Sequence, residues 1–384
     1  MKTERYIAEL TSLPAFEPER EGWSALAREA IEPNPFYEPG FLMASARNLE
    51  RPDAIILLVV RDSARNNRPV GLFPLCWPRL RDGILFGAIS LYRNPYTSLS
   101  TPLIHADCVP EVLDAAFGLL AAPGGQADVL HMPLISASRP FGAALAAYCA
   151  GRGLPQRIGS QFSRAAIETT LSLSEYQRAL ARNTRKSLTR KLRRLEERGP
   201  VAFTTIRKNS PEGQKALDEF LYLESLGWKG QRGTALASKP QTRAFALSAF
   251  GTGNDGPDLF FERLSVNGRT IAMNVNLIAQ RVVYTIKTAY DEAYGDYSPG
   301  ALLDWNTIRF GTAGAGIARL DSCADPGHRI ETIWRERESI ATLIVGVTAA
   351  VAPARLDRIE TGMRWMSRAI GGAKALRDKL AGAA

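Results

Sequence analysis

The chain has 384 residues, of which 45% are hydrophobic and 23% are charged. This composition is typical of a globular protein with room for two domains, and it excludes a disordered chain. The net charge of +9 is compatible with an acidic partner. Because the four cysteines form no CxxC pair and the three histidines lack metal-ligand spacing, we expect neither a disulfide framework nor a metal site.

The sequence also predicts a cytoplasmic protein. Its N-terminal stretch, MKTERYIAEL, is charged and lacks the apolar core of a secretory signal. The longest apolar run, residues 340–354, is shorter than the roughly 20 residues that a membrane span needs. We therefore expect no transmembrane segment.

Residues 1–165 are predicted to form a mixed α/β domain. Apolar periodicity indicates helices at residues 23–30, 39–48, 111–121 and 141–151. Runs rich in apolar and β-branched residues indicate strands at 55–61, 69–77, 84–89, near 103 and at 128–132. Several of these strands follow one another closely, so we expect antiparallel neighbours.

A strand at 167–171 and then a strongly basic helix follow. The helix runs from about residue 174 to Gly199-Pro200, which ends it, and Leu188, Leu192 and Leu195 share one narrow face. Most of its other positions are basic: Arg182, Arg185, Lys186, Arg190, Lys191, Arg193, Arg194 and Arg198.

Three interpretations of this basic helix stay open. It is a solvated amphipathic helix, a site for a phosphate-rich partner, or a contact surface for RNA or an anionic membrane. No aromatic residue interleaves with the arginines, so nucleic acid that binds by base stacking is not the favoured partner.

The remainder of the chain contains a three-strand meander. After a strand at 201–207 and helices at 211–226 and 241–250, Asn267-Gly268 predicts a hairpin between strands at 259–265 and 270–278. In the second of these strands, Asn274 and Asn276 share a face. A third strand at 282–290, a helix at 300–310, a strand at 317–321 and a helical region at 356–379 complete the order.

The loop after the third strand ends in Ser298-Pro299-Gly300, directly before a helix. Main-chain N–H groups and the helix dipole converge at such a position, which suits a pyrophosphate. An ordinary helix start, with Ser298 as N-cap and Pro299 in the first turn, explains the same residues without a ligand.

The stretch KTAYDE at residues 287–292, followed by YSPGALL at 297–303, resembles the GNAT acetyltransferases of the CelD/BcsL type. That family is associated with the synthesis of cellulose and other exopolysaccharides. Three further stretches agree: NPF at 34–36 with Phe41-Leu42, GLFPL at 71–75, and the basic helix. The resemblance spans residues 34–340. It departs at His328-Arg329, where the family tends to carry an aromatic residue followed by lysine.

The resemblance implies an α/β fold of mixed sheets, with two GNAT-like domains in tandem and kinship to the Fem-type aminoacyl transferases. Residues 1–165 are the first domain, 166–350 bind acyl-CoA, and 351–384 form a helical tail. The main chain of Ser298, Pro299, Gly300, Ala301 and Leu302 would hold the pyrophosphate of acetyl-CoA. The pantetheine arm would lie along Lys287, Thr288, Ala289 and Tyr290, added like a further strand.

The resemblance also implies where the thioester lies, and therefore which groups handle protons. Asp291 or Glu292 is the candidate general base, and Tyr297 is the candidate acid for the leaving thiolate. In the alternative interpretation, these carboxylates are solvated and the tyrosine only packs. Lys287 would pair with the carboxylates of Asp291 and Glu292 or with an anionic acceptor. Alternatively, it would be a solvated lysine at a strand edge.

Candidate acceptor contacts lie on two other segments. Trp228 and Lys229 belong to a glycine-rich loop, where the tryptophan either stacks on a sugar or is buried as a plug between domains. Asn274 and Asn276 either hydrogen-bond a sugar hydroxyl or lie on a solvated face of the sheet.

We therefore expect an acetyl-CoA-dependent N- or O-acyltransferase that acts on a sugar or amine in exopolysaccharide or cellulose biosynthesis. Two alternatives stay open. One is a Fem-like aminoacyl-tRNA-dependent transferase whose basic helix binds tRNA, and the other is a GNAT-fold binding protein without catalysis.

Overall fold

The computed structural model describes residues 5–50, 54–77, 88–123, 127–253, 256–314 and 316–381. The chain divides into two compact units. Unit 1 comprises Met1–Tyr37, Pro52–Phe162 and Ser339–Ala384, and unit 2 comprises Glu38–Arg51 and Ser163–Glu338. Each unit is therefore assembled from segments that are distant in sequence. In the described part of the chain, no helix has both the length and the apolar character needed to cross a bilayer.

Unit 1 is a mixed sheet with helices. Its strands are β1 (Tyr6–Ser12), β2 (Ile56–Asp62), β3 (Arg68–Cys76), β4 (Ala88–Leu91), β5 (Leu103–Ile104) and β6 (Val129–Ser136). Its helices are α1 (Leu13–Phe16), α2 (Arg20–Glu29), α4 (Val109–Ala121), α5 (Pro140–Arg152) and α12 (Pro353–Ala381). Strands β1 to β4 pair antiparallel in chain order, and β4 pairs parallel with β6. Strand β13 (Glu336–Gly346) then pairs antiparallel with β6.

Close packing of a helix on the sheet explains the glycine of the GLFPL stretch. A Cβ placed on Gly71 of β3 would lie 2.5 Å from Cγ1 of Val112 in α4. Val112 is fully buried with Leu113 and Phe117 against the sheet. Only glycine permits this approach without displacing the helix.

Unit 2 repeats the strand order of unit 1. Its strands are β7 (Gln156–Glu168, which begins in unit 1), β8 (Val201–Arg207), β9 (Asp258–Val266), β10 (Arg269–Ala279), β11 (Val282–Tyr290) and β12 (Arg319–Asp321). Strands β8 to β11 pair antiparallel in chain order. Strand β11 pairs parallel with β12, which pairs antiparallel with β7.

The helices of unit 2 are α3 (Pro39–Leu49), α6 (Leu173–Ala179), α7 (Arg182–Glu196), α8 (Gly213–Leu226), α9 (Trp228–Gln231), α10 (Pro240–Phe250) and α11 (Pro299–Thr312). Helix α11 connects the parallel strands β11 and β12, as α4 lies between β4 and β6 in unit 1. Helix α3 belongs here because Phe41 packs edge-to-face on Phe245 of α10, with ring centroids 5.4 Å apart. This duplication confirms the predicted α/β class with mixed sheets.

The structure corrects three element predictions. Strand β1 was not predicted, because its residues are only partly buried and its pairing with β2 comes from a distant segment. The predicted basic helix is two helices, since the buried Leu180 adopts an extended conformation between α6 and α7. The strand predicted at 167–171 begins much earlier, at Gln156. Of the strand predicted at 84–89, residues 84–87 lie outside the described residues.

Candidate active site

Strand β11 leaves part of one edge open. It pairs with β10 over nearly its whole length but with β12 only through Val282, Val283 and Tyr284. Alternate residues of a strand direct their main-chain groups to opposite sides. Asp291 N donates to Ile271 O of β10. The main-chain N–H and C=O groups of Thr288 and Tyr290 therefore point to the other side of β11, where no described strand continues.

A turn connects this open edge to α11. Residues Glu292–Tyr297 form a short 3-10 helix, in which Glu292, Ala293, Gly295 and Asp296 are exposed while Tyr294 and Tyr297 are partly buried. Ser298 occupies the N-cap position of α11 in the left-handed region, with a φ of 49°. Its hydroxyl makes no capping hydrogen bond and instead accepts from Lys191 Nζ at 2.7 Å. Pro299 begins the helix, as the sequence predicts.

Positive charges gather at this end of α11. Besides Lys191, Arg194 of α7 lies over the ring of Tyr297, with its Cζ 5.4 Å from the ring centroid. Burial lowers the pKa of Lys191, and the positive charges of Arg329 and Arg190 lower it further. The helix dipole adds a positive potential at the same place. An anion here would relieve the crowding of like charges.

Gly300 is buried, and its Cα faces Thr288 of β11 and Arg329. A Cβ placed on it would lie 3.8 Å from Cγ2 of Thr288 and 4.0 Å from Nη2 of Arg329, both ordinary contact distances. The surrounding protein therefore does not require glycine here. A ligand that passes close to the main chain would require glycine at this position. The residues present therefore fit a diphosphate.

The candidate bases Asp291 and Glu292 have different partners. Asp291 accepts from Ala293 N at 3.0 Å and pairs with Arg269 at 2.7 Å. Glu292 Oε1 accepts the main-chain N–H of Trp228 at 2.6 Å. Asp291 is therefore held by the turn and by Arg269, whereas Glu292 faces the α8–α9 loop.

The predicted glycine-rich loop contains the short helix α9, and a small pocket lies between α9 and β11. It is lined by Leu223, Glu224, Gly227, Trp228, Lys229, Thr288, Ala289, Tyr290 and Glu292. Its volume of about 20 Å³ holds roughly one water molecule, so a substrate must displace side chains to enter. Trp228 is 45% exposed, which contradicts the predicted plug. The structure thus brings together two candidate acceptor residues and part of the predicted pantetheine strand.

Lys287 is not the solvated edge lysine of the alternative interpretation. Its Nζ lies 3.1 Å from Oε1 of the fully buried Glu224, and its side chain is 15% exposed. Lys229 Nζ contacts the same oxygen at 3.4 Å and donates to Thr288 O at 2.9 Å. Residues from α8, α9 and β11 therefore meet around one carboxylate.

Asn274 and Asn276 are fully buried, which contradicts the predicted solvated face. Asn274 Oδ1 accepts from the Thr288 hydroxyl, and Asn276 Oδ1 accepts from the Thr285 hydroxyl, each at 2.8 Å. Asn276 Nδ2 donates to Glu262 of β9 at 3.3 Å. These contacts occupy the amide oxygens, so a role in holding a sugar hydroxyl lacks geometric support.

Two buried carboxylates were not predicted from the sequence, namely Glu262 of β9 and Asp304 of α11 itself. Glu262 accepts from Asn306 Nδ2 at 2.8 Å and from the Thr307 hydroxyl, and burial raises its pKa. Burial also raises the pKa of Asp304 to about 8. The inward position of Glu262 in the alternating pattern of β9 was the available signal. In the described part of the chain, no group of three or more His, Cys, Asp or Glu side chains has the arrangement of a metal site.

Comparison with known proteins identifies the domain that carries this geometry. Residues 182–329 match the family described as acetyltransferase (GNAT) domain. No curated protein matches the sequence significantly. The matched residues include α7, the open edge of β11 and the start of α11.

Several solved structures share the fold over most of the chain. FemX superposes with a TM-score of 0.56 at 11% identity, over 91% of this chain and 98% of that chain. A conserved protein of unknown function from Bacteroides thetaiotaomicron has a TM-score of 0.55 at 12% identity, over 88% and 99% of the two chains. The C-terminal domain of a putative lysylphosphatidylglycerol synthetase from Agrobacterium fabrum has a TM-score of 0.51 at 15% identity, over 86% and 92%.

At these identities the similarity concerns the fold. Together with the repeated strand order of the two units, it confirms the predicted GNAT-like units in tandem. The chain therefore carries a GNAT acetyltransferase domain at residues 182–329 and is an acyltransferase of this fold.

Proposed function

We propose that residues 166–350 form the acyl-CoA-binding domain and transfer an acetyl group from acetyl-CoA to an amine or hydroxyl. The observation that supports this most is the cluster of Lys191, Arg194 and Arg329 at the start of α11, beside the open edge of β11. The main-chain N–H of Gly300 and these cations hold the diphosphate, because Pro299 has no N–H and those of Ser298, Ala301 and Leu302 already donate to Gly295 O and Ser298 O. The amides of pantetheine pair with the main chain of Thr288 and Tyr290.

In the proposed reaction, the acceptor nitrogen or oxygen attacks the thioester carbonyl. A new C–N or C–O bond forms, the C–S bond breaks, and CoA leaves as the thiolate. Glu292 takes the proton of the acceptor, and Tyr297 supplies a proton to the thiolate. We favour Glu292 over Asp291 because Asp291 is engaged by Arg269 and by the turn, whereas Glu292 lines the pocket.

We further propose that the acceptor belongs to polysaccharide assembly, as the CelD/BcsL resemblance suggests. A saccharide ring would stack on the indole of Trp228, which is 45% exposed and has Arg232 Cζ over its ring, 5.2 Å from the centroid. Lys229, also in α9, lines the adjoining pocket.

The test is release of CoA from acetyl-CoA in the presence of a panel of amino sugars, sugars and amines. Glu292→Gln should lower kcat at least a hundredfold while leaving the Kd of acetyl-CoA within about twofold, the pattern expected for loss of a general base. Asp291→Asn is the matched control and should retain most of the rate. An equal loss of rate in both variants, or no loss in Glu292→Gln, contradicts the assignment.

A second candidate is an aminoacyl-tRNA-dependent transferase, favoured by the fold shared with FemX and by one face of α7. Arg182, Lys186, Arg190 and Arg193 recur at helical spacing on that face, and all are exposed. Salt-sensitive tRNA binding without acetyl-CoA binding supports this candidate. Binding of acetyl-CoA without turnover of any acceptor supports a protein that keeps the fold but has lost catalysis.

A further inference from the structure

Two lysines share a single carboxylate at the floor of the pocket beside β11. Lys229 and Lys287 place their Nζ atoms 3.4 and 3.1 Å from Oε1 of Glu224. The other oxygen, Oε2, accepts the main-chain N–H of Leu236 at 2.7 Å. The floor therefore holds two ammonium groups beside one acidic group.

These groups are largely removed from water. The side chains of Lys229, Lys287 and Glu224 are 24%, 15% and 0% exposed. Burial lowers the pKa of Lys229, and the charge of Lys287 lowers it further, although Glu224 opposes both effects. Charges interact more strongly where water is scarce, so a second anion at this floor would be bound more firmly than at an open surface.

The other groups named here line the rim and the wall of the pocket, whereas the two lysines lie at its floor. Glu292 is exposed at the rim, where its Oε1 accepts the N–H of Trp228. The Trp228 ring provides an apolar wall, and Lys229 Nζ lies 5.9 Å from its centroid.

Resting on the proposed function, we propose that the acceptor carries a carboxylate, which Lys229 and Lys287 bind while its amine or hydroxyl points to Glu292. The acceptor class is thus an amino acid or a sugar acid. Lys229 now donates to Thr288 O, which faces the open edge. When Lys229 turns to the acceptor carboxylate, this carbonyl is released for the pantetheine amide.

The test is calorimetric titration of matched probes: D-glucuronate against D-glucuronamide, glycine against glycinamide, and inorganic phosphate. The wild type should bind at least one carboxylate tenfold or more tightly than its amide. Lys229→Met and Lys287→Met should each weaken that binding at least tenfold. Glu224→Gln should strengthen it, because the Glu224 carboxylate then no longer neutralises the charge of the two lysines, and a merely damaged pocket could not produce this gain.

The proposal is overturned if the wild type shows no preference for either carboxylate, if phosphate binds more tightly than both, or if Glu224→Gln weakens the binding. Acetyl-CoA is titrated separately into the same variants. Acetyl-CoA binding without carboxylate preference overturns only this inference. Carboxylate preference without acetyl-CoA binding overturns only the proposed function.

Discussion

Gly300 distinguishes a ligand cradle from an ordinary helix start. In Gly300→Glu the new side chain lies beside Thr288 and Arg329. There it blocks the diphosphate and pairs with Arg329, which would otherwise contact the diphosphate. We expect at least a tenfold loss of acetyl-CoA affinity by calorimetry, about 1.4 kcal/mol. Gly295→Glu is the control, because no heavy atom of the described chain lies within 4 Å of its added Cβ. Equal affinities in the two variants would rule out the cradle.

Asp304 makes stability depend on pH. Burial raises its pKa from 3.8 to about 8, so between these values the folded protein holds a proton that the unfolded chain releases. The free energy of unfolding should therefore fall as pH rises through this window, by up to about 1.4 kcal/mol per pH unit.

Urea unfolding at pH 5 and pH 8 checks this expectation. The wild type should lose more stability between the two values than Asp304→Asn, which has no proton to release at this position. Glu262 is present in both proteins, and because its charge raises the pKa of Asp304, the comparison reports the two carboxyl groups as a coupled pair. The same loss in both proteins would show that Asp304 is ionised in the fold.

The sequence identified two adjacent candidates for the general base but did not show which of them performs that role. Asp291 and Glu292 both follow the strand, but only the fold shows that Arg269 engages the first and Trp228 N–H the second. Lys191 and Arg329 could not be assigned to one site from sequence. They are far apart along the chain and meet only because α7 and the segment after β12 both approach α11.

At the scale of the element, the first turn of α8 depends on a glycine. A Cβ on Gly213 would lie 1.8 Å from the main-chain oxygen of Lys208 and 2.9 Å from Cγ2 of Thr252. Gly213→Ala should therefore lower the free energy of unfolding by about 1–3 kcal/mol, because the helix start must shift.

The control for this prediction is Gly118→Ala in α4, where the described chain has no atom within 4 Å of the added Cβ. There alanine should stabilise by about 0.5–1 kcal/mol, since it removes the entropic cost of glycine in a helix. Both values come from chemical denaturation. A neutral Gly213→Ala would mean that α8 begins elsewhere.

Local patterns predicted elements whose signals are local. Asn267-Gly268 correctly indicated the hairpin of β9 and β10, and both residues have positive φ angles as such a turn requires. The separation of α6 from α7 could not be predicted in this way. It depends on the burial of Leu180 in the core of unit 2, a tertiary contact that overrides the helical propensity of the sequence.

At the scale of the whole molecule, chain order hides how the units are assembled. Strand β13 completes the sheet of unit 1 from the C-terminal part of the chain, and α3 joins unit 2 from the N-terminal part. The contiguous ranges 1–165, 166–350 and 351–384 do not describe these exchanges, because long-range strand pairing leaves no local signal in the sequence. The resemblance to the CelD/BcsL-type family predicted the tandem arrangement of two GNAT-like units. The hydrophobic periodicity alone indicated only α/β layers.

The proposed function depends on the binding of acetyl-CoA at the start of α11, next to cations from α7 and from the segment after β12. Its most direct test is calorimetric titration of acetyl-CoA into the wild type, Lys191→Gln and Lys186→Gln. Lys191 contacts Ser298, whereas Lys186 is exposed on the same helix, so the two variants remove the same charge at different places. We predict binding to the wild type that weakens with salt, a loss of at least tenfold in Lys191→Gln, and a change below about twofold in Lys186→Gln. Absence of binding to the wild type, or equal Kd values in the two variants, would contradict the account.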